Sequence, residues 1–455
     1  MADWGLSVKK LSRDLTEGGI VRNIWYLALP MMAGNLLQDA FTIVDMIFVG
    51  RLGPSAIAAV GMSGIINGIL FTFILGISMG TVALVARSIG ARKVPEAESA
   101  AMQSLFLGFF CYAAIAIFGY PLSSPMLRAL GASEDVVLQG VAYMRVMFLG
   151  SFTMIFSAIL SAVLNAAGDA VTPLKILMVS TISNIVLDPL LIFGWWWFPR
   201  LGVVGSALAT VIARGIGVFI LLWVLLSGRV VIHLKIANAK FDFSIMRRII
   251  KIGVFSSIQA LVRNVSGIVL TRLVAVYGTF AVAAYVIGMR LRMVVMMPGF
   301  GLANAVSTLV GQNLGASKPE RAERTAWVTV GLTSAIMTFI GIVYIIFARR
   351  IIAIFNTHPE VIRIGINHLH ITSGTFGFIG LSIVLGRAFS GAGDTLSPMV
   401  ISSISLLAFQ VGLSLLFSWK LGLTGIWFGI TASNIIQSIM MSFWFNIGRW
   451  KLKQI

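Results

Sequence analysis

Charged side chains are scarce: 11% of the 455 residues are Asp, Glu, Lys or Arg, against about 25% in an average soluble domain. So few charges cannot cover a water-exposed surface, which excludes a soluble enzyme of this length. Cysteine is almost missing. The single Cys111 rules out an intrachain disulfide, and its place in an apolar run reads as a packed position. No phosphate-binding glycine loop, HExxH or CxxC occurs, so ATP coupling, zinc and redox chemistry have no motif behind them. His368 and His370 are two apart and point to different helix faces, a poor metal pair. No cleavable signal peptide is visible. The first apolar stretch begins near Ile24 and is too long for a signal core.

What is present is apolar: 58% of the residues are hydrophobic. Runs between Gly, Pro and charged breaks predict twelve membrane spans. They fall near 22–49, 55–86, 99–121, 137–164, 172–197 and 203–227, then 248–276, 279–312, 325–347, 361–390, 397–418 and 421–446. Several exceed what a bilayer of about 30 Å needs, which implies tilt or overhang. With twelve spans both termini lie on one side. Placing them inside assigns 21 Lys and Arg to inner segments and seven to outer ones, the bias that marks cytoplasmic loops. The +18 balance therefore records orientation and gives no reason to invoke nucleic acid. Trp195, Trp196 and Trp197 fall at the outer end of the fifth span, as an interfacial belt would.

The chain repeats itself. IGARKVPEAE from Ile89 returns as LGASKPERAE from Leu314, and LNAAGDAVTP from Leu164 as FSGAGDTLSP from Phe389, both at an offset of 225. LGVVG from Leu201 returns as LGLTG from Leu421, at 220. Each half holds an even number of spans, so the halves share one orientation. The expected fold is an all-α polytopic membrane protein: twelve transmembrane helices in two six-helix bundles related by a pseudo-two-fold along the membrane normal. The expected divisions are an N-terminal lobe over 1–230, a cytoplasmic linker over 231–247 and a C-terminal lobe over 248–455. Asp169 and Asp394, in the repeated Gly-Asp segments, read as turn residues.

Of the 16 acids, only Asp39, Asp45 and Asp188 fall well inside a span. A charge at the bilayer centre costs about 2.5–3.5 kcal/mol on insertion scales, so such residues face a cavity or a partner. Asn35, Gln38, Thr42 and Asp45 form one polar stripe at helical spacing, with Asp39 beside it. Asn184 and Asp188 are four apart, as are Ser206 and Thr210. These oxygens suit a hard cation, and carboxylates in apolar surroundings can also carry protons. No buried Lys or Arg is expected in the same half's polar stripe; Arg145 is the nearest alternative partner. The second half differs, since Leu270 stands 225 after Asp45. It contributes Gln259, Arg263, Asn264, Arg290 and Arg292 instead, available to an acid or to an anionic group. Pro30 removes a helical hydrogen bond and permits a bend near the acids.

Nearly the whole chain resembles the multidrug and toxic compound extrusion (MATE) family. The resemblance rests on LLQDAFTIVDMIFVGRLG (Leu36–Gly53), SMGTVALVARSIGA, the AAGD and GAGD turns, SNIVLDP and STLVGQNLGA (Ser307–Ala316) taken together. It implies a secondary active multidrug efflux antiporter of the cell inner membrane. Such a protein exports cationic or amphipathic compounds in exchange for Na⁺ or H⁺ by alternating access. It is not an enzyme, needs no cofactor besides the coupling ion, touches small-molecule drugs and membrane lipids, and is expected as a monomer. Asp45, Asn184, Asp188 and Thr210 look like the N-lobe cation set of the branch similar to the DNA-damage-inducible efflux proteins. They would be the Na⁺ ligands were sodium the coupling ion. Asn35, Gln38, Asp39, Phe41, Thr42 and Ser206 would then line or tune the substrate cavity. Phe41 departs from the Tyr usual in relatives, Asp39 from a usual glutamine. Gln259, with no acid in the tenth span, argues against coupling through the C-lobe. Two alternatives stand beside this reading. A lipid-linked precursor flippase of the same superfamily is kept open by Arg263, Arg290 and Arg292. An intramembrane enzyme has no visible nucleophile.

Overall fold

The computed structural model describes residues 14–235 and 240–453; among them the secondary structure is helical, with no strand. Eleven segments are long and apolar enough to cross a membrane. Glu134–Leu149 and Ser151–Ala166, bent by 44° at their junction, make a twelfth when counted as one span. The protein is a polytopic membrane protein. The bend falls at Gly150, where a Cβ would overlap the Val211 side chain. The fifth predicted span ends early, at Phe193, because Gly194 takes a left-handed conformation (φ +71°) and stops the helix. Trp195, Trp196 and Trp197 therefore lie beyond the helix and are strongly exposed.

Backbone contacts divide the chain into two compact units. The first holds Met1–Asp14 and Ala33–Gly253; the second holds Leu15–Met32 and Val254–Ile455. This differs from the expected boundaries at both ends. The start of the first helix groups with the second unit, and residues up to Gly253 group with the first. The expected linker over 231–247 lies partly outside the described residues, since 236–239 are not described. Gly80 shows one reason for the shifted boundary: a Cβ there would meet the Ile249 backbone, so the start of the eighth helix is pressed onto the second.

In chain order, the helices up to the central connector are α1 (Ile20–Gly50), α2 (Pro54–Gly90), α3 (Val94–Ala129), α4 (Glu134–Leu149), α5 (Ser151–Ala166), α6 (Val171–Phe193) and α7 (Val203–Leu226). α1 begins in the second unit and passes into the first after Met32, two residues beyond Pro30. Proline in the first turn starts α2 and α3, where no amide partner is lost. The core of the first unit gathers Val49, Val60, Leu127, Val137, Tyr143, Phe148 and Ala207.

After the connector come α8 (Phe243–Ala275), α9 (Thr279–Gly315), α10 (Pro319–Ile346), α11 (Ala348–Phe355), α12 (Pro359–Thr372), α13 (Phe376–Gly391), α14 (Leu396–Ser403), α15 (Gly412–Leu421) and α16 (Leu423–Ile447). A π-helical stretch, Ile404–Val411, joins α14 to α15. The second unit fastens its own N-terminal turn. Lys318 Nζ donates to Thr16 O at 3.1 Å, and Arg321 Nη2 donates to Glu17 O at 3.0 Å and Gly18 O at 2.8 Å.

The sequence repeat is also a backbone repeat. Gly53 (φ +113°) is matched by Gly278 (+96°), Arg92 (+59°) by Ser317 (+58°), and Gly168 (+93°) by Gly393 (+82°), each pair 225 residues apart. Gly202 (+56°) and Gly422 (+59°) match at 220. The five missing residues come from the turn before Gly422: α15 runs into it directly, whereas Gly194–Leu201 form a loop before Gly202. Both Gly-Asp turns are closed by their acids. Asp169 Oδ1 accepts from the amides of Val171 and Thr172, and Asp394 Oδ2 accepts from Ser397 Oγ.

Candidate functional site

Three helices of the first unit converge on a buried polar cluster. α1 brings Asp45, α6 brings Asn184 and Asp188, and α7 brings Ser206 and Thr210; all five are buried. The helix faces explain the convergence. Phe41, Asp45 and Val49 recur every four residues and form the buried stripe of this part of α1. α6 and α7 approach closely because Gly205 and Gly217 lack side chains: a Cβ would overlap Leu191 O at the first and Ser180 Oγ at the second. That contact sets the Asn184–Asp188 face of α6 against the Ser206–Thr210 face of α7.

The hydrogen bonds tie the cluster together incompletely. Ser206 Oγ donates to Asp45 Oδ1 at 2.7 Å, and Asn184 Nδ2 donates to Asp188 Oδ1 at 3.3 Å. Asp188 Oδ2 and Asn184 Oδ1 are buried with no partner among the described residues. Buried acceptors without a donor cost about 1–3 kcal/mol each. Two such oxygens one helical turn apart are complementary to a small cation or a proton. Asp45 and Asp188 are also close enough for their charges to act on each other.

The structure corrects one expectation about this cluster. A basic residue does reach it. Arg214 lies close enough to Asp45 for their charges to interact, and its guanidinium sits over the Phe41 ring, 5.3 Å from the centroid. Arg145 is instead stacked on Tyr120 at 4.8 Å. The signal for Arg214 was in the sequence: Ser206, Thr210 and Arg214 recur every four residues on one face of α7. Tyr143, buried on α4 within reach of Asp45 and Arg214, had no such signal. Phe41 thus has a part of its own here, as the aromatic face under the guanidinium.

The remaining stripe residues spread out. Thr42 is exposed and its hydroxyl bonds back to Gln38 O at 3.1 Å. Asp39 is exposed, and Asn35 and Gln38 are half-buried. The buried face is centred on Phe41, Asp45 and Val49, and Thr42, about 60° around the helix from Asp45, falls at its edge. A cavity of about 50 Å³ adjoins the cluster, lined by Asn67, Phe71, Phe148, Thr153, Thr210 and Arg214 among others. A water needs about 10–15 Å³, so the cavity has room for a few waters against Thr210 and Arg214.

The repeat-equivalent place in the second unit has no such chemistry. Leu270, Val274, Tyr285, Ile426, Trp427 and Ile430 pack there as an apolar cluster. Tyr285 and Trp427 stack at 5.7 Å. Among the described residues, the paired buried carboxylates lie in the first unit.

The two-fold internal pattern and the whole-chain helical layout are matched by known proteins. The MatE family model matches twice, over residues 30–190 and 256–416. The chain belongs to the MatE family. Its relatives include the probable multidrug resistance protein YoeA of Bacillus subtilis, 30% identical, with 98% of this chain and 97% of that protein covered. The probable multidrug resistance protein NorM of Thermotoga maritima is 29% identical over 94% of this chain and 93% of its own length. A solved multidrug resistance MATE transporter in an outward-facing conformation matches with a TM-score of 0.89 at 25% identity, covering 98% of this chain and all of that one. MatE membership makes this a membrane transporter related to multidrug efflux proteins.

Proposed function

We propose that the protein is a secondary active antiporter that exports cationic or amphipathic compounds in exchange for Na⁺ or H⁺. The observation that carries this reading is the pair of unpartnered buried oxygens, Asp188 Oδ2 and Asn184 Oδ1, beside a second carboxylate at Asp45. Asp188 and Asn184 hold the coupling ion, with Thr210 completing an oxygen-rich set. Asp45 is fixed by Ser206 and balanced by Arg214, so it senses whether the charge of Asp188 is neutralised. Ion and substrate then compete for one state of the lobe. One charge moving down about 100 mV releases about 2.3 kcal/mol, enough for roughly fiftyfold accumulation of a drug. Pro30, inside α1 and two residues before Met32, removes a helical hydrogen bond and would let that helix bend during the cycle. In this reading both termini lie in the cytoplasm, the membrane is the inner membrane of the cell, and the working unit is a monomer.

The test is efflux of an organic cation from proteoliposomes, with sodium and pH gradients imposed separately on wild type and Asp188→Asn. Efflux driven by at least one gradient in wild type, and lost in the variant, supports the reading. Wild-type rates in Asp188→Asn, or no response to either gradient, overturns it.

A further inference from the structure

The first unit has a second cavity, larger than the one beside Thr210. It is a cleft of about 420 Å³ at the end of the unit where α1 turns into α2, lined by Leu52, Leu138, Gln139, Arg200 and Val203 among others. Leu138 and Arg200 are exposed, so the cleft is open to its surroundings. A water needs about 10–15 Å³, and the cleft holds many. Its rim is the Gly194–Leu201 loop, which is pinned back onto α6. Leu201 N donates to Leu191 O at 3.0 Å, and Gly202 N to Ile192 O at 3.1 Å. In the second unit α15 runs straight into the matching Gly422, without such a loop.

The cleft stops one helical turn short of the acid cluster. Val203 lines it, and Ser206, three residues further along α7, donates to Asp45 Oδ1. Three residues are about 4.5 Å of helix rise. Thr210, four residues beyond Ser206 on the same face, lines the smaller cavity with Arg214. One face of α7 thus runs from cleft to cluster to inner cavity. On α1 the order is the same: Leu52 lines the cleft, Val49 lies below it, and Asp45 below that. Val49 and Val203 are buried and pack with Tyr143 in one apolar core, so they close the floor of the cleft.

At the matching positions the second unit is apolar throughout. Asp45, Gln139, Ser206 and Thr210 correspond to Leu270, Ile364, Ile426 and Ile430, and Val49 and Val203 to Val274 and Leu423. Those residues of the second unit belong to one packed cluster, so the repeat makes the six positions neighbours in the fold. The first unit keeps the two aliphatic positions and fills the other four with a carboxylate, an amide and two hydroxyls. Polar groups at membrane depth are retained where they meet water, an ion or each other. Here they form a column whose two ends are both cavities.

We propose that the cleft is the external mouth of a water route to Asp45 through the first unit alone, closed in this structure by Val49 and Val203. In the orientation proposed above, the end where α1 turns into α2 faces outward. Gln139 is the polar group at the floor of the mouth, and Ser206 receives the route at the acid. Passage of the coupling ion along it rests on the antiport reading; the existence of the route does not.

The experiment follows the reactivity of Ser206→Cys on a Cys111→Ala background, in sealed right-side-out membrane vesicles. Silver ion, a small monovalent cation that binds thiols, is added outside in chloride-free buffer. Thiol left unreacted is then counted with a fluorescent maleimide after denaturation. Adding Val203→Ala should speed the reaction about tenfold, the effect of about 1.4 kcal/mol on a barrier. Gln139→Trp and Arg200→Trp, which fill the cleft from two sides, should each slow it by a similar factor. Size-exclusion chromatography shows which variants are folded. The proposal is overturned if Ser206→Cys stays unreacted even with Val203→Ala, or if neither folded Trp variant slows the reaction. These rates need no ion gradient and no drug, so loss of the antiport reading leaves the test intact. A closed route, in turn, leaves antiport with its ion entering elsewhere.

Discussion

Ser206 Oγ donates a 2.7 Å hydrogen bond to Asp45 Oδ1, joining α7 to α1 inside the first unit through residues 161 apart in sequence. A hydrogen bond to a charged group contributes about 1.5–3 kcal/mol, and its loss leaves a buried carboxylate oxygen unanswered. Ser206→Ala should therefore lower efflux at a fixed ion gradient about tenfold or more, with the amount of protein in the membrane unchanged. Proteoliposome transport beside a quantitative immunoblot checks this. Equal efflux would mean that Asp45 is held by other groups.

Arg214 and Phe41 form the second relationship around the same acid. Arg214→Gln removes the one basic side chain that acts on Asp45 among the described residues, while keeping hydrogen-bonding capacity. Two carboxylates are then left facing each other without a counter-charge. The expected outcome is loss of ion-driven export, with a smaller loss for Phe41→Leu, which removes the ring but keeps an apolar filler. Measuring both variants in the same gradient assay ranks them, and the reverse order would remove Arg214 from the coupling set.

Much of this was legible in the sequence. Scarce charge and long apolar runs gave the spans, because helices that cross lipid must be apolar for about 20 residues. The repeated IGARK and LGASK segments carry matching left-handed residues at Arg92 and Ser317, since the same turn imposes the same backbone. Asp45 and Asp188 came from the rarity of acids inside spans, and Asn184 with Asp188 from spacing; the Ser206 bond to Asp45 came only with the structure. What escaped was burial around a helix. Thr42 and Asp45 are both polar and three apart, yet only Asp45 is turned inward, a choice made by packing with Phe41 and Val49. Arg214 escaped because an arginine in an apolar run is read first as a surface or loop charge. The break at Gly150 and the passage of α1 from one unit to the other depend on tertiary contacts that spacing does not encode.

Gly205 and Gly217 predict a ranking. A Cβ at Gly205 meets the backbone of Leu191, which cannot yield without moving α6, whereas at Gly217 it meets the hydroxyl of Ser180, which can rotate away. Overpacking typically costs about 1–3 kcal/mol. Gly205→Ala should lower the thermal midpoint in detergent clearly more than Gly217→Ala, and should reduce efflux by separating Asp188 from Ser206. Fluorescence-detected size exclusion after heating reads the order directly.

Orientation is tested by labelling. With Cys111→Ala as background, Trp196→Cys should react with a membrane-impermeant maleimide in intact cells, because Trp196 is 80% exposed in the loop after α6. Ser317→Cys, in the turn beside Lys318 and Arg321, should react only once the membrane is opened. The 21-to-7 distribution of basic residues demands this order. Labelling of Ser317→Cys in intact cells would reverse the topology.

The N-terminal turn of the second unit gives the last prediction. Arg321 Nη2 holds two carbonyl oxygens, Glu17 O at 3.0 Å and Gly18 O at 2.8 Å, and Asn23 Nδ2 binds Glu17 O from the other side at 2.8 Å. This turn precedes α1, the helix that carries Pro30 and then Asp45, so its anchoring fixes where that helix starts. Arg321→Gln is shorter and uncharged, so it loses the charge-assisted bonds that Nη2 makes to both carbonyls. Hydrogen–deuterium exchange across residues 14–19 should speed up at least tenfold. Arg324→Gln, whose side chain bonds to no carbonyl of this turn among the described residues, should leave exchange there unchanged. If both variants exchange alike, Arg321 does not anchor the turn, and the start of α1 is held by Asn23 and Lys318 instead.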